Sequence, residues 1–96
     1  MPFVLALPKG WKEAGWKVRI AEKERLEPPH VTIRRRDVAW RLGLRDGEFL
    51  DGRPPPDEVP RDLLSWVKGQ FPTLVTEWDR KYPKNRVRSG EDEDGR

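Results

Sequence analysis

The chain has 96 residues, 34% of them hydrophobic and 39% charged, with a net charge of +3 at pH 7. A chain of this length forms one domain with a small core. It contains no cysteine and one histidine, which excludes disulfides, a cysteine nucleophile and a histidine-rich or thiolate metal site, so we expect no metal and no cofactor. No apolar run is long enough to span a membrane and no secretory signal is visible, so we expect a cytoplasmic protein without membrane contacts.

Charge is distributed unevenly along the chain. Residues 89–96 contain four acids and one arginine, a net charge of −3, which leaves +6 on residues 1–88. The same eight residues have no apolar side chain to offset the entropy of ordering them. We therefore expect one folded domain over residues 1–88 and a disordered acidic tail over 89–96. A body with this charge attracts phosphate groups or an acidic partner.

The first quarter of the chain contains an apolar run and an alternating segment. An apolar run over residues 2–8 predicts an edge strand or an extended arm. Residues 16–21 alternate between apolar and basic side chains, which is typical of a half-buried strand. The inward side chains are Trp16, Val18 and Ile20, and the outward ones are Lys17 and Arg19.

Two further alternating segments, residues 30–36 and 37–45, predict a hairpin. A two-residue turn at Arg36-Asp37 brings the apolar side chains of both segments to the same face. The pairs expected from this turn are Ile33 with Trp40, Val31 with Leu42, His30 with Gly43 and Thr32 with Arg41.

A second hairpin turn is predicted at Asp46-Gly47, because this dipeptide tolerates the positive φ angles of a type I′ turn. Such a turn pairs Leu44 with Phe49 and starts a fourth short strand over residues 48–51. A proline-rich connection follows over residues 52–56.

From Pro60 onward the apolar period changes to that of a helix. Pro72 removes a backbone hydrogen bond within this segment, yet the apolar stripe keeps its phase across it. We therefore predict one long, kinked C-terminal helix, or two collinear helices, that ends before Pro83. The stripe consists of Leu63, Leu64, Val67, Phe71, Leu74, Val75 and Trp78.

Together these elements predict an α+β fold, an antiparallel meander of three to four strands with the C-terminal helix packed on one face. The helix covers the apolar face of the sheet and leaves the outward face open. We predict that cations on this outward face bind nucleic acid or another anion. The cations are Lys17, Arg19, Arg34, Arg36, Arg41 and Arg45. The side chains of His30 and Thr32 are expected on the same face.

His30 is the candidate catalytic residue, because an imidazole can accept and donate protons near neutral pH. In that role it stands in a small cleft over Gly43, with Arg41 holding an anion beside it. The alternative is structural, with the ring bonded to backbone around Glu27 to Pro29. The chain has no Gly-rich phosphate loop and no convincing metal cluster, so a non-enzymatic role is favoured over a ribonuclease-like one.

A resemblance to a known family rests on the segment Glu27-Pro28-Pro29-His30-Val31, followed by a charged hairpin, a strand with Trp40 and a helix that ends in Trp78-Asp79. Over residues 1–82 the chain resembles the small bacterial family catalogued as domain of unknown function 4160. The resemblance implies the same order of elements and an association with toxin–antitoxin-like loci, but no established activity. Members carry a second histidine where this chain has Thr32, so the resemblance implies no two-histidine site here.

Two functional hypotheses follow. The first is an RNA- or nucleic-acid-associated module of a toxin–antitoxin-like system that uses the outward face. The alternative is a protein–protein interaction module without catalytic activity, one member of a paired complex, whose basic surface or edge strand docks an acidic protein. The small core is compatible with a monomer or a homodimer.

Overall fold

The computed structural model describes residues 3–20 and 28–87. Within these ranges the chain has an α+β fold, a four-stranded antiparallel sheet in the order β1-β2-β3-β4 with helices in the C-terminal half. The predicted tail over residues 89–96 lies outside the described residues. The strands are β1, Phe3–Val4; β2, Trp16–Ile20; β3, His30–Arg35; and β4, Val38–Gly43. The helices are α1, Lys9–Glu13; α2, Arg61–Gly69; and α3, Phe71–Lys81, with a 3₁₀ turn at Pro56–Glu58.

The β3–β4 hairpin has the predicted register. Arg35 pairs with Val38, so the turn consists of Arg36 and Asp37, and Arg36 adopts a φ of 56°. Arginine is uncommon in this left-handed region, so the pairing of the strands determines the turn against the preference of its residues. All the predicted pairs form: Ile33 with Trp40, Val31 with Leu42, His30 with Gly43 and Thr32 with Arg41.

The connection at Asp46-Gly47 differs from the prediction. Phe49 lies opposite Leu42 in a single β-bridge instead of opposite Leu44, and the predicted fourth strand is reduced to this bridge. Leu44 provides the reason, because its side chain is buried in the core and its N–H donates to the carbonyl of Pro29, 2.9 Å away. The chain therefore makes a wider connection than two residues before it returns to β4.

The N-terminal segment contains a helix that the sequence does not signal. The strand expected over residues 2–8 is reduced to β1, and α1 follows it. Gly10 lies inside α1 and disfavours a helix, and the exposed Lys9–Glu13 ion pair, at 3.9 Å, contributes little. Trp11 is partly buried against the core, and this tertiary contact stabilises the helix.

The C-terminal helical segment is divided into two helices at Gln70. α2 ends at Gly69 and α3 begins at Phe71, with Pro72 in the first turn, where the missing N–H costs no helical hydrogen bond. The break lies where the sequence predicted an interruption. The buried side chains continue across it at helical spacing: Leu63, Val67, Leu74 and Trp78.

One hydrophobic core joins the strands and both C-terminal helices. Trp16, Trp40 and Trp78 are buried, whereas Trp11 and Trp66 are partly buried against the core. The proline-rich segment is attached to the sheet by the indole N–H of Trp40, which donates to the carbonyl of Pro55 at 3.1 Å. None of the helices in the described ranges has the length and apolar character of a membrane span.

Candidate functional site

The outward side chains of β2 and β3 form a cluster of cations that we call the basic face: Lys17, Arg19 and Arg34, with Arg36 at its edge in the β3–β4 turn. Lys17 lies directly opposite Arg34 in the neighbouring strand, and Arg19 lies opposite Thr32. Side chains at directly opposed positions have Cβ atoms about 4.5–5.5 Å apart. Among the described residues, no carboxylate forms an ion pair with these cations.

Arg41 shares this side of the sheet but is neutralised. Its Nε and Nη2 donate to the two carboxylate oxygens of Asp51, each at 2.8 Å, in a bidentate arrangement. These hydrogen bonds, together with the positive charge of Arg41, lower the pKa of Asp51 from its ordinary value. The carboxylate therefore stays ionised and balances the charge of Arg41.

Arg45 has a structural role in the C-terminal segment. Its Nε donates to the carbonyl of Val87 at 2.7 Å, and its Nη2 donates to the carbonyl of Arg86 at 2.9 Å. The N–H of Val87 in turn donates to Asp79 Oδ1 at 2.9 Å. We therefore leave Arg41 and Arg45 out of the anion-binding set, although the alternation of the sequence placed them in it.

His30 does not stand on an open surface, as the catalytic interpretation required. Its side chain is only 1% exposed, and its ring centroid lies 5.6 Å from that of Trp78 in α3. Its Nδ1 lies 2.9 Å from the carbonyl oxygen of Pro28, and because a carbonyl only accepts, Nδ1 carries the hydrogen in this bond. The hydrogen bond that the structural alternative predicted is thus present.

The predicted cleft over Gly43 is filled. A Cβ atom placed on Gly43 would lie 3.0 Å from Asp46 Oδ1, 3.1 Å from the carbonyl oxygen of Glu48 and 3.5 Å from Leu50 Cδ2. The wider connection after β4 folds back over this position and occupies the space. Arg41 is held by Asp51, so no anion site beside the imidazole is formed.

We expect His30→Ala to lower the free energy of unfolding by about 1–3 kcal/mol, because the substitution removes a buried hydrogen bond and ring contacts with Trp78. Urea denaturation followed by circular dichroism measures the loss. Thr32→Ala, at a half-buried position of the same strand, is the control and should cost less. If the free energy of unfolding of His30→Ala lies within about 0.5 kcal/mol of that of the parent, the structural role is contradicted.

A cavity of about 540 Å³ adjoins the basic face at the edge of β2. It exists because β1 is shorter than β2. The N–H of Leu5 still donates to the carbonyl of Val18 at 2.9 Å, after which the chain turns away into α1. The lining includes Val4, Ala6, Leu7, Lys12, Lys17 and Arg19. The sequence did not reveal this cavity, because neither the length of β1 nor the presence of α1 was predicted.

In residues 3–20 and 28–87, no three side chains of the types that ligate metals come together as a metal site. Comparison of the chain with protein-family models, curated proteins and solved structures finds no match. The resemblance to the family catalogued as domain of unknown function 4160 therefore stays a prediction.

Proposed function

We propose that the protein is an RNA-binding module that holds the phosphate backbone on its basic face and does not cleave it. The observation that carries this proposal is the direct opposition of Lys17 and Arg34 in neighbouring strands, with Arg19 beside them and no carboxylate of the described residues paired to any of the three. Like charges in opposed positions destabilise a sheet. A bound anion would supply a counter-charge to this cluster.

The spread of the cations favours a polymer over a single small anion. They occupy two strands and a turn, so they can contact successive phosphates of one strand. Apart from His30, which is buried, the outward positions of β2 to β4 carry no aromatic side chain on which a base could stack and no Asn or Gln to read its edges. Binding on this face therefore depends on charge and is independent of base sequence.

The position of His30 does not support cleavage of the bound strand. A general acid or base must reach the reacting oxygen within hydrogen-bond distance. The ring of His30 is buried beside that of Trp78, and its Nδ1 is hydrogen-bonded to the carbonyl oxygen of Pro28. This arrangement supports a binding role for the protein and a structural role for the histidine.

Fluorescence anisotropy with a labelled single-stranded RNA, measured at several salt concentrations, tests the proposal. Three to four phosphate contacts predict a log–log slope of about −2 to −3, at about −0.7 per contact. Removing two of them with Lys17→Ala and Arg34→Ala should make the slope shallower by about 1.4 and weaken binding at low salt. Both side chains are exposed, so the double variant should melt no lower than the parent.

The matched control is the double variant Arg61→Ala and Lys68→Ala, which removes the same charge from exposed positions of α2. It should keep most of the affinity and most of the slope. An equal loss in both double variants would show that net charge alone attracts RNA and would overturn the proposal. So would capture of a stoichiometric acidic protein that stays bound after nuclease treatment, which is the outcome expected of the protein–protein alternative.

A further inference from the structure

The cavity at the edge of β2 differs in charge from two other cavities in the described part of the chain. One of about 440 Å³ lies beside Phe49 and Leu64 and is bordered by both Asp57 and Arg61. Another, of about 310 Å³, is bordered by Arg35, Arg36 and Glu58. The cavity beside β2 is bordered by Lys12, Lys17 and Arg19 and by no acid of the residues that the structure describes.

We infer that this cavity accepts an unstacked base of a single-stranded RNA whose phosphates lie on the basic face, so that the protein binds single strands in preference to duplexes. The inference rests on the proposed function and deepens it. Lys17 and Arg19 belong to both the basic face and the rim of the cavity. An RNA strand whose phosphates lie at these two side chains has a base at the mouth of the cavity.

The wall of the cavity suits an uncharged, flat group. Val4 is 62% exposed and stands opposite Arg19 across the strand pair, and Ala6 and Leu7 continue the apolar surface. The volume of about 540 Å³ falls within the usual range for small-molecule sites of roughly 300–1,000 Å³. Trp16 also lines the cavity, but it is only 4% exposed, so the base is held here mainly by burial against the aliphatic side chains.

Arg19, at the rim of the cavity, has a donor that can take a hydrogen-bond acceptor. Arg19 Nε is buried and donates to no acceptor in the described part of the chain. A buried donor without an acceptor carries a desolvation cost, which a phosphate or a base carbonyl would relieve. A duplex cannot use the cavity in this way, because its bases remain stacked and paired inside the helix.

The test compares three labelled probes by anisotropy: a single-stranded oligouridylate, an abasic strand with the same number of phosphates, and an RNA duplex. We expect the oligouridylate to bind about tenfold more tightly than the abasic strand, a difference of about 1.4 kcal/mol. The affinity for the duplex, compared for the same number of phosphates, should be close to that for the abasic strand. The abasic strand separates the contribution of the base from that of the backbone.

Two variants of the wall complete the experiment. Val4→Ser removes apolar surface and Ala6→Ile fills the cavity, and both positions are exposed, so folding is preserved. Each should lower the affinity for oligouridylate toward that for the abasic strand and leave the abasic strand unaffected, whereas Thr73→Ile on α3 should change neither. Equal binding of the oligouridylate and the abasic strand to the parent protein overturns the inference and leaves the proposed function intact. If no probe binds, the proposed function fails and the inference fails with it.

Discussion

Replacing Trp78 with alanine is expected to lower the free energy of unfolding by about 3–5 kcal/mol, because a fully buried aromatic side chain is lost. The ring of Trp78 is 0% exposed, and its centroid lies 4.3 Å from the ring of Tyr82 and 5.6 Å from that of His30. Its indole N–H donates to the carbonyl of Asn85 at 2.7 Å. One side chain thus connects α3, the start of β3 and the C-terminal segment.

Small domains are stable by only about 5–15 kcal/mol, so Trp78→Ala has the largest expected effect on folding in this chain. Trp78→Phe keeps the ring and loses the N–H, and should cost about 1–2 kcal/mol, which provides a folded variant to measure if the alanine variant does not fold. Trp66→Ala is the matched control, because Trp66 is only partly buried. Urea denaturation that finds Trp66→Ala as destabilising as Trp78→Ala would contradict the central role of Trp78.

The pairing of β3 with β4 could be predicted from the sequence because a two-residue turn at Arg36-Asp37 gives a register that brings the apolar side chains of both segments to one face. Ile33 opposite Trp40 and Val31 opposite Leu42 satisfy this condition, and a shift by one residue would expose each of them. The same reasoning failed at Asp46-Gly47. There a local turn preference competed with the burial of Leu44, and the burial determined the connection.

The face on which each cation lies was predictable, but its partner was not. Period-two alternation placed Arg41 and Lys17 on the same side of the sheet, and both lie there. Arg41 is bonded to Asp51, which comes from the connection after β4. No local pattern relates these two residues, because their contact depends on how that connection folds back.

His30 shows a second limit of alternation. Its parity along β3 assigns it to the outward face, yet it is the first residue of the strand, and Trp78 from α3 covers it there. Period-two patterns describe the middle of a sheet and do not describe its ends, where distant segments cross. The cavity beside β2 was missed for a related reason, since it depends on the end of β1 and the start of α1.

The distribution of charge leads to the last prediction, which concerns residues 89–96. We expect removal of these residues to raise the affinity for RNA several-fold at low salt, because the net charge changes from +3 to +6 when the segment with its net charge of −3 is absent. Val87 is fixed by Asp79 and Arg45, so the acids begin four residues beyond a defined point. A fully extended chain would place the first acid at most about 13 Å and the last at most about 25 Å from Val87, and β4 is about 20 Å long.

A chain of full length in which the four tail acids are replaced by Asn and Gln separates charge from length. It should bind RNA as tightly as the truncated chain, and the advantage of both over the parent should fall as salt rises, because the Debye length shortens from about 30 Å at 0.01 M to about 10 Å at 0.1 M. In the Lys17→Ala, Arg34→Ala background the gain should be smaller, since the tail and the RNA would compete for the same cations. An unchanged affinity at low salt after truncation would show that the tail does not screen the basic face, and an undiminished gain in the double-variant background would show that it acts through net charge alone.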